Sequence, residues 1–363
     1  MHYEISSQKA HASSRDAAHT FALYPAMSMP KSPFAASTSS PGIGKIRVAA
    51  LPPQKQILKS FDYQYPLKLI APDPHTSPGP SHHPVTLVFL LTYGGGLVGG
   101  DKISLDVTLE EDTRLVLVTQ GSTKIFKSPA RSVVSAQTLN VTIARGASLC
   151  YLPDPTQPFS ESVYEQKQNF FVDPDGTSSL CVLDWVSEGR RARGESWTLW
   201  NWKGKNEVRE LSREKSKQPR LLLRDAVILS DEGGEGVHLG PDIRDKTNGM
   251  GVIGSLILYG PTFQALAEFF LSEFKSQPRI GAKNWSDGKS QKPISEEAST
   301  KERRLEQEKA DGLLWTAAST RGFVVVKFGA REIGGARLWI GDMIRRQGSI
   351  GQEFGDQALI GLR

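Results

Sequence analysis

The residues of this chain that most suggest chemistry are a set of glycines and a lysine. Gly94, Gly95, Gly96, Gly99 and Gly100 crowd the run 93–101, and Ser122, Thr123 and Lys124 follow in the run 119–126. Glycines near a Ser-Thr-Lys cluster suggest a phosphate cradle. Such a cradle needs glycines, lysine and hydroxyl consecutively at the opening of a helix, where backbone N–H groups face the phosphate. Here a strand-like run separates them, and no G-x-G-x-x-G opens a helix. The glycines are therefore expected to act as tight corners, at positions that turn or take positive φ.

The histidines and cysteines offer little more. His2, His11 and His19 lie near the start, His75, His82 and His83 in a proline-rich loop, and His238 in a glycine-rich one. No C-x₂-C or H-x₃-H spacing is present, and a closed metal site needs three or four converging ligands. The histidines read as solvated loop residues, with His82 and His83 able at most to meet a metal transiently. Cys150 and Cys181 border apolar runs and read as small buried hydrophobes. With no signal peptide, two cysteines predict a reducing compartment, hence a cytoplasmic protein.

Carboxylates are more informative. Asp154 stands between Pro153 and Pro155, where the backbone is stiff, and the segment 184–195 mixes Asp184, Glu188 and Glu195 with Arg190, Arg191 and Arg193 around two glycines. Two readings are open. One is an ion-pair network at a strand end. The other is a polar interior or interface whose oxygen ligands hold a divalent cation weakly, which suits passing an ion along. Acid/base catalysis would need a nucleophile or second catalytic group beside them, and the sequence offers none.

The elements that must position these residues are mostly strands. Residues 85–91 are apolar and β-branched, and 102–109 alternate with period two. Further strands are expected over 114–119, 132–143, 147–152, 169–172 and 179–186, with turn signals about every eight to twelve residues, the spacing of an all-β sandwich, barrel or solenoid. Two helices follow. Pro261 opens one, with Phe263, Leu266, Ala267, Phe270, Leu271 and Phe274 on one stripe; the other covers 332–347, with Leu338, Trp339, Met343 and Ile344 inward. The phenylalanine stripe packs either on its own domain or on a partner.

The whole chain of 363 residues is 38% apolar, low for a compact globule, which points to polar tails and insertions around a smaller folded part. Residues 1–42, rich in Ser, Ala and Pro, read as a disordered tail. Residues 43–363 form a single domain with insertions at about 71–84 and 278–312, the second a solvated loop or exposed helix of alternating charge. The 44 basic residues are nearly matched by 39 acidic ones, a mixed surface that argues against nucleic acid. No apolar run reaches the roughly 18 residues of a membrane span.

Taken in order, the runs 95–101 and 119–126, then Leu152-Pro153-Asp154-Pro155 with Pro158-Phe159, the 184–195 cluster, Arg220 to Asp225, and Phe323 to Lys327 with the Trp339 helix resemble the UreD (UreH) family of urease accessory proteins. Gly121 and Ser122 stand where alanine-like residues are expected, and the tail and insertions suggest a fungal or plant type. The resemblance implies a right-handed β-helix, a β-solenoid carrying a small helical element. It implies a non-enzymatic chaperone that binds apo-urease and a UreF-like protein, which in turn recruits a UreG-like GTPase. Nickel would pass through a polar internal passage, in transit rather than as a tightly bound cofactor. On that basis Asp154, Glu188 and Glu195 are candidates for the ion path, and Asp101, Lys124, Arg190 and Arg193 for shaping it. Phe263, Phe270, Phe274 and Trp339 are candidates for the UreF-like contact. A structural adaptor that conducts no ion, and a solenoid glycan hydrolase with carboxyls about 5 to 9.5 Å apart, are the alternatives.

Overall fold

The computed structural model describes residues 40–363, except 53–54, 81, 213, 215–217, 232–241 and 278–295. Residues 1–39 of the expected disordered tail, the first part of the second insertion, and His2, His11, His19 and His238 lie outside the described residues.

In chain order the first strands are β1 (Ile43–Leu51), β2 (Lys55–Tyr63), β3 (Leu67–Ile70), β4 (His75–Thr76), β5 (Pro84–Thr92), β6 (Gly96–Leu97) and β7 (Lys102–Leu109). Next come β8 (Arg114–Val118), β9 (Thr123–Ile125), β10 (Ser135–Ile143), β11 (Ser148–Tyr151), β12 (Thr156–Pro158), β13 (Val163–Val172) and β14 (Ser179–Ser187). The last are β15 (Asn201–Glu210), β16 (Arg220–Ser230), β17 (Val252–Tyr259), β18 (Leu314–Thr320) and β19 (Phe323–Ala330). Helices are α1 (Ile243–Lys246), α2 (Gln264–Lys275), α3 (Glu296–Ala310), α4 (Ile333–Gln347) and α5 (Ser349–Phe354). None among the described residues is long and apolar enough to cross a membrane.

Among the described residues the strands form two sheets. One is seven-stranded, in the order β16-β15-β13-β10-β7-β1-β2; the other is twelve-stranded, with the main path β18-β19-β17-β14-β11-β8-β5-β3. Between β5 and β15 the longer strands fall alternately in the second and first sheet, each parallel to the next in its own sheet. The right-handed β-helix implied by the resemblance is nonetheless not what the chain builds. Antiparallel strands close both sheets: β2 and β16 in the first, β3 and β17, β19 and β18 in the second. Instead of coiling on, the chain beyond β16 covers the outer face of the second sheet with helices.

Strand periodicity explains these layers. In β7, Ile103, Leu105, Val107 and Leu109 are buried while Lys102 and Asp106 are exposed, so one face meets the core. Strands β8 and β11 are apolar almost throughout because their sheet is covered on both faces. Leu115, Leu117, Leu149, Leu180 and Val182 enter the core between the sheets. Their neighbours Val116, Val118, Cys150, Cys181 and Leu183 enter a second core beneath α2, α4 and α5. Both cysteines are thus buried hydrophobes, as expected, and sit side by side in the β11–β14 register.

The glycine run does turn the chain. Gly94, Gly95 and Gly100 have φ of 74°, 72° and 94°. Gly96 meets a different constraint. It pairs with Lys124 across β6 and β9, and a Cβ there would lie 2.3 Å from the Lys124 carbonyl oxygen. The two motifs separated in sequence are therefore neighbours in space. Gly96→Ala is expected to cost about 1–3 kcal/mol as an overpacked contact, read as a lowered urea midpoint with an unchanged slope.

On the outer face of β15, buried Glu207 is ringed by Lys205, Arg209 and Arg224. Burial pushes its carboxyl up, but the bonds from these cations outweigh that and hold it at about 2. A depressed carboxylate stabilises the fold above its unfolded value and loses that contribution as pH falls. Stability should therefore fall between about pH 4.5 and 2, by about 1–2 kcal/mol given its exposed partners. In Glu207→Gln that acid step should disappear from pH-dependent urea titrations.

The described parts of the two insertions are better anchored than their composition suggests. The proline loop is tied to α5 by His75, whose Nε2 lies 2.8 Å from the Phe354 carbonyl oxygen, and by Gly79 N–H donating to Gln352 O at 2.9 Å. His75 is thus a packed residue rather than a solvated one. In α3, Glu308 is buried, accepting from Trp339 Nε1 at 3.0 Å and Trp315 Nε1 at 3.4 Å. A helix without an apolar face is held through this buried carboxylate.

Candidate functional site

Three neighbouring strands of the first sheet break their apolar inward stripe at two adjacent levels. Gln137 of β10 pairs in register with Gln166 of β13, and Gln168 of β13 with Asn206 of β15, and all four are buried. Opposite them, Asp184 of β14 takes a position where Leu180, Val182 and Val186 enter the inter-sheet core. The result is a polar cavity of about 20 Å³ between the sheets, whose lining includes Thr119, Tyr151, Asp154, Gln166, Gln168 and Asp184. That is room for a water-sized guest.

Asp154 is 5% exposed and follows β11 in the Pro-Asp-Pro turn. Its Oδ2 accepts from Gly121 N–H at 2.9 Å and Thr119 Oγ1 at 3.2 Å, and its Oδ1 from Arg337 of α4 at 2.8 Å. Thr119 Oγ1 in turn accepts from Asp154 N–H at 2.7 Å. The proline-stiffened turn and the Thr-Gln-Gly-Ser loop thus grip one carboxylate from two sides.

Asp184 accepts from Gln166 Nε2 at 2.8 Å and Asn206 Nδ2 at 2.6 Å. Burial pushes its carboxyl above the usual range, and these two bonds only partly offset it. Burial also pushes the Tyr151 and Tyr164 hydroxyls up, so both remain neutral donors. Buried Gln168 Oε1 and Asn206 Oδ1 have no hydrogen-bond partner. Unpaired buried acceptors ask for a water or a cation.

Each carboxylate also walls an outer cleft. Asp154, with Arg337, Ile70 and Ile360, lines one of about 570 Å³. Asp184, with Trp202, Val227, Trp315 and Lys327, lines another of about 440 Å³. Asp154 and Asp184 therefore each line both the inner cavity and an outer cleft. The Trp185 indole N–H, donating to Pro153 O at 2.8 Å, ties the two segments together. Among the described residues, no group of three or more His, Cys, Asp or Glu side chains is placed to hold a metal ion.

The other expected site residues lie elsewhere. Glu188 is buried beside Gly251, with Arg191 at 3.7 Å. Glu195 takes Arg190 Nε at 3.0 Å, and that guanidinium holds its carboxyl below the usual range. Neither lines the cavity. Arg190 also stacks over Phe159, while Arg193 is exposed in a short 3₁₀ turn. Asp101 closes the glycine loop by accepting from Val98 N–H at 2.9 Å, and the Lys124 side chain is exposed on β9.

Phe263, Phe270 and Trp339 are buried in the second core, and Phe274 packs against Trp315. The phenylalanine stripe thus faces the chain's own sheet, whose outer face needs cover; Leu338, expected inward, is 53% exposed. Sequence reasoning passed over Arg337, Asp184 as a site residue, and the inward glutamines. Period-two alternation through 135–143 and 164–172 carried the glutamine signal.

Comparison with known proteins agrees with this order of segments. The family model for the UreD urease accessory protein matches residues 42–358. The chain belongs to the UreD family. A protein of Schizosaccharomyces pombe described as an uncharacterized ureD-like urease accessory protein is 30% identical over 297 residues, covering 82% of this chain and 91% of that one. Urease accessory protein D of Oryza sativa subsp. japonica is 32% identical over 237 residues, 65% of this chain and 70% of its own. The UreD of Sorangium cellulosum is 31% identical over 218 residues, 60% and 62% of the respective chains. As a UreD-family member, this protein has a role in urease maturation, in company with urease and its accessory proteins.

Proposed function

We propose that this chain is a urease maturation chaperone that binds apo-urease and, with UreF-like and UreG-like partners, passes nickel to the urease active site through a polar internal passage. The observation that carries this reading is the inter-sheet cavity, lined by Asp154 and Asp184, each of which also lines an outer cleft. The lining offers carboxylate, amide and hydroxyl oxygens. Nickel binds imidazole and softer donors more tightly than such oxygens, so an ion here is held loosely enough to move on. Low dielectric strengthens the pull of each carboxylate on a cation, which offsets part of the cost of stripping its water.

In this reading nickel is cargo, the chain catalyses nothing itself, and nucleotide chemistry belongs to the GTPase partner in the cytoplasm. Deleting the gene tests it: urease polypeptide should accumulate without nickel and regain it when the chain is restored. Nickel-loaded urease in the deletion strain would sink the reading.

A further inference from the structure

Arg337 deepens that reading. Its guanidinium reaches from α4 to Asp154 Oδ1 at 2.8 Å, lies 6.0 Å from the Trp185 ring, and lines the outer cleft on the Asp154 side. We propose that Arg337 gates the passage: its guanidinium is a tethered cation occupying the carboxylate that a divalent ion must use, and it has to leave before the ion can bind.

Arginine stays protonated at any physiological pH. Asp154 Oδ2 already accepts two protein donors, which leaves Oδ1 as the freer oxygen, and Arg337 holds it. Two cations at one carboxylate repel at short range, so guanidinium and metal exclude each other. The side chain is 26% exposed, and the cleft of about 570 Å³ leaves it room to swing clear. The inner cavity that Asp154 lines also holds the unpaired Gln168 Oε1 as a further oxygen. A purely structural ion pair would lose stability on mutation, but its removal would create no ion site.

The test is binding of Ni²⁺ alone to the purified full chain, by equilibrium dialysis, in four proteins: wild type, Arg337→Gln, Asp154→Asn and the double variant. Arg337→Gln should gain a site about tenfold or more tighter than any in the wild type. Asp154→Asn in the same chain should erase that gain. Unchanged affinity in Arg337→Gln, or a gain that survives Asp154→Asn, overturns the gate. Should Arg337→Gln fail to fold, Arg337→Met keeps a long side chain against the Trp185 ring but removes the charge. Its Ni²⁺ affinity should then exceed the wild type's, and equality overturns the proposal. Because the proposal rests on the passage, urease activation by Asp154→Asn at limiting nickel is measured in parallel. Lost activation there, with no Ni²⁺ gain in Arg337→Gln, sinks the gate and leaves the passage standing.

Discussion

Replacing Asp154 and Asp184 together by asparagine is expected to lower urease activation at limiting nickel by about tenfold or more, while the chain still joins urease and its accessory partners. Asparagine keeps size and hydrogen bonding but removes the charge that attracts a cation, and in a buried setting that charge acts at close range with little screening. Both carboxylates line one inter-sheet cavity, so the effect should exceed that of Glu188→Ala or Glu195→Ala, whose carboxylates face Arg191 and Arg190. Excess nickel should partly rescue the double variant. Activation at the wild-type level under limiting nickel, with the complex intact, would instead leave a structural adaptor that conducts nothing. Asp184 calls for one control. Its carboxyl is raised by burial, so asparagine there costs less folding energy than removing an exposed partnered carboxylate would suggest. Matching urea midpoints would confirm that lost activation is not lost fold.

Trp339→Ala is expected to destabilise the isolated chain by about 3–5 kcal/mol. Its ring packs against Phe270, Trp315 and Phe328, and its N–H donates to Glu308. Truncation opens a cavity between α4 and the second sheet and takes one donor from a carboxylate that burial already pushes up. Phe270→Ala should behave alike. Urea unfolding of the purified chain decides the point, because a residue serving only a partner contact would leave that curve unmoved.

Much of the fold was legible because its cause is local. Alternation over Lys102–Leu109, the apolar run Pro84–Thr92 and the stripe through 263–274 each follow from the geometry of a single element. The same holds for the glycine corners, where positive φ is a property of a few consecutive residues. A continuous coil is not built: parallel pairing holds in the middle of the chain, but pairing direction is set between strands distant in sequence, and β17, β19 and β18 run antiparallel.

By itself, then, the sequence determined the strands, the two cysteines' burial, the family motifs and Asp154 as a carboxylate fixed between prolines. Only the tertiary structure decided which charges meet. Asp154 and Asp184 share a cavity because β14 pairs alongside β11 and brings Asp184 next to the Pro-Asp-Pro segment, and Arg337 closes on Asp154 from a helix at the far end of the chain. Glu195 is instead taken by its near neighbour Arg190. A carboxylate's role depends on what stands within a few ångströms, and that distance is a property of packing.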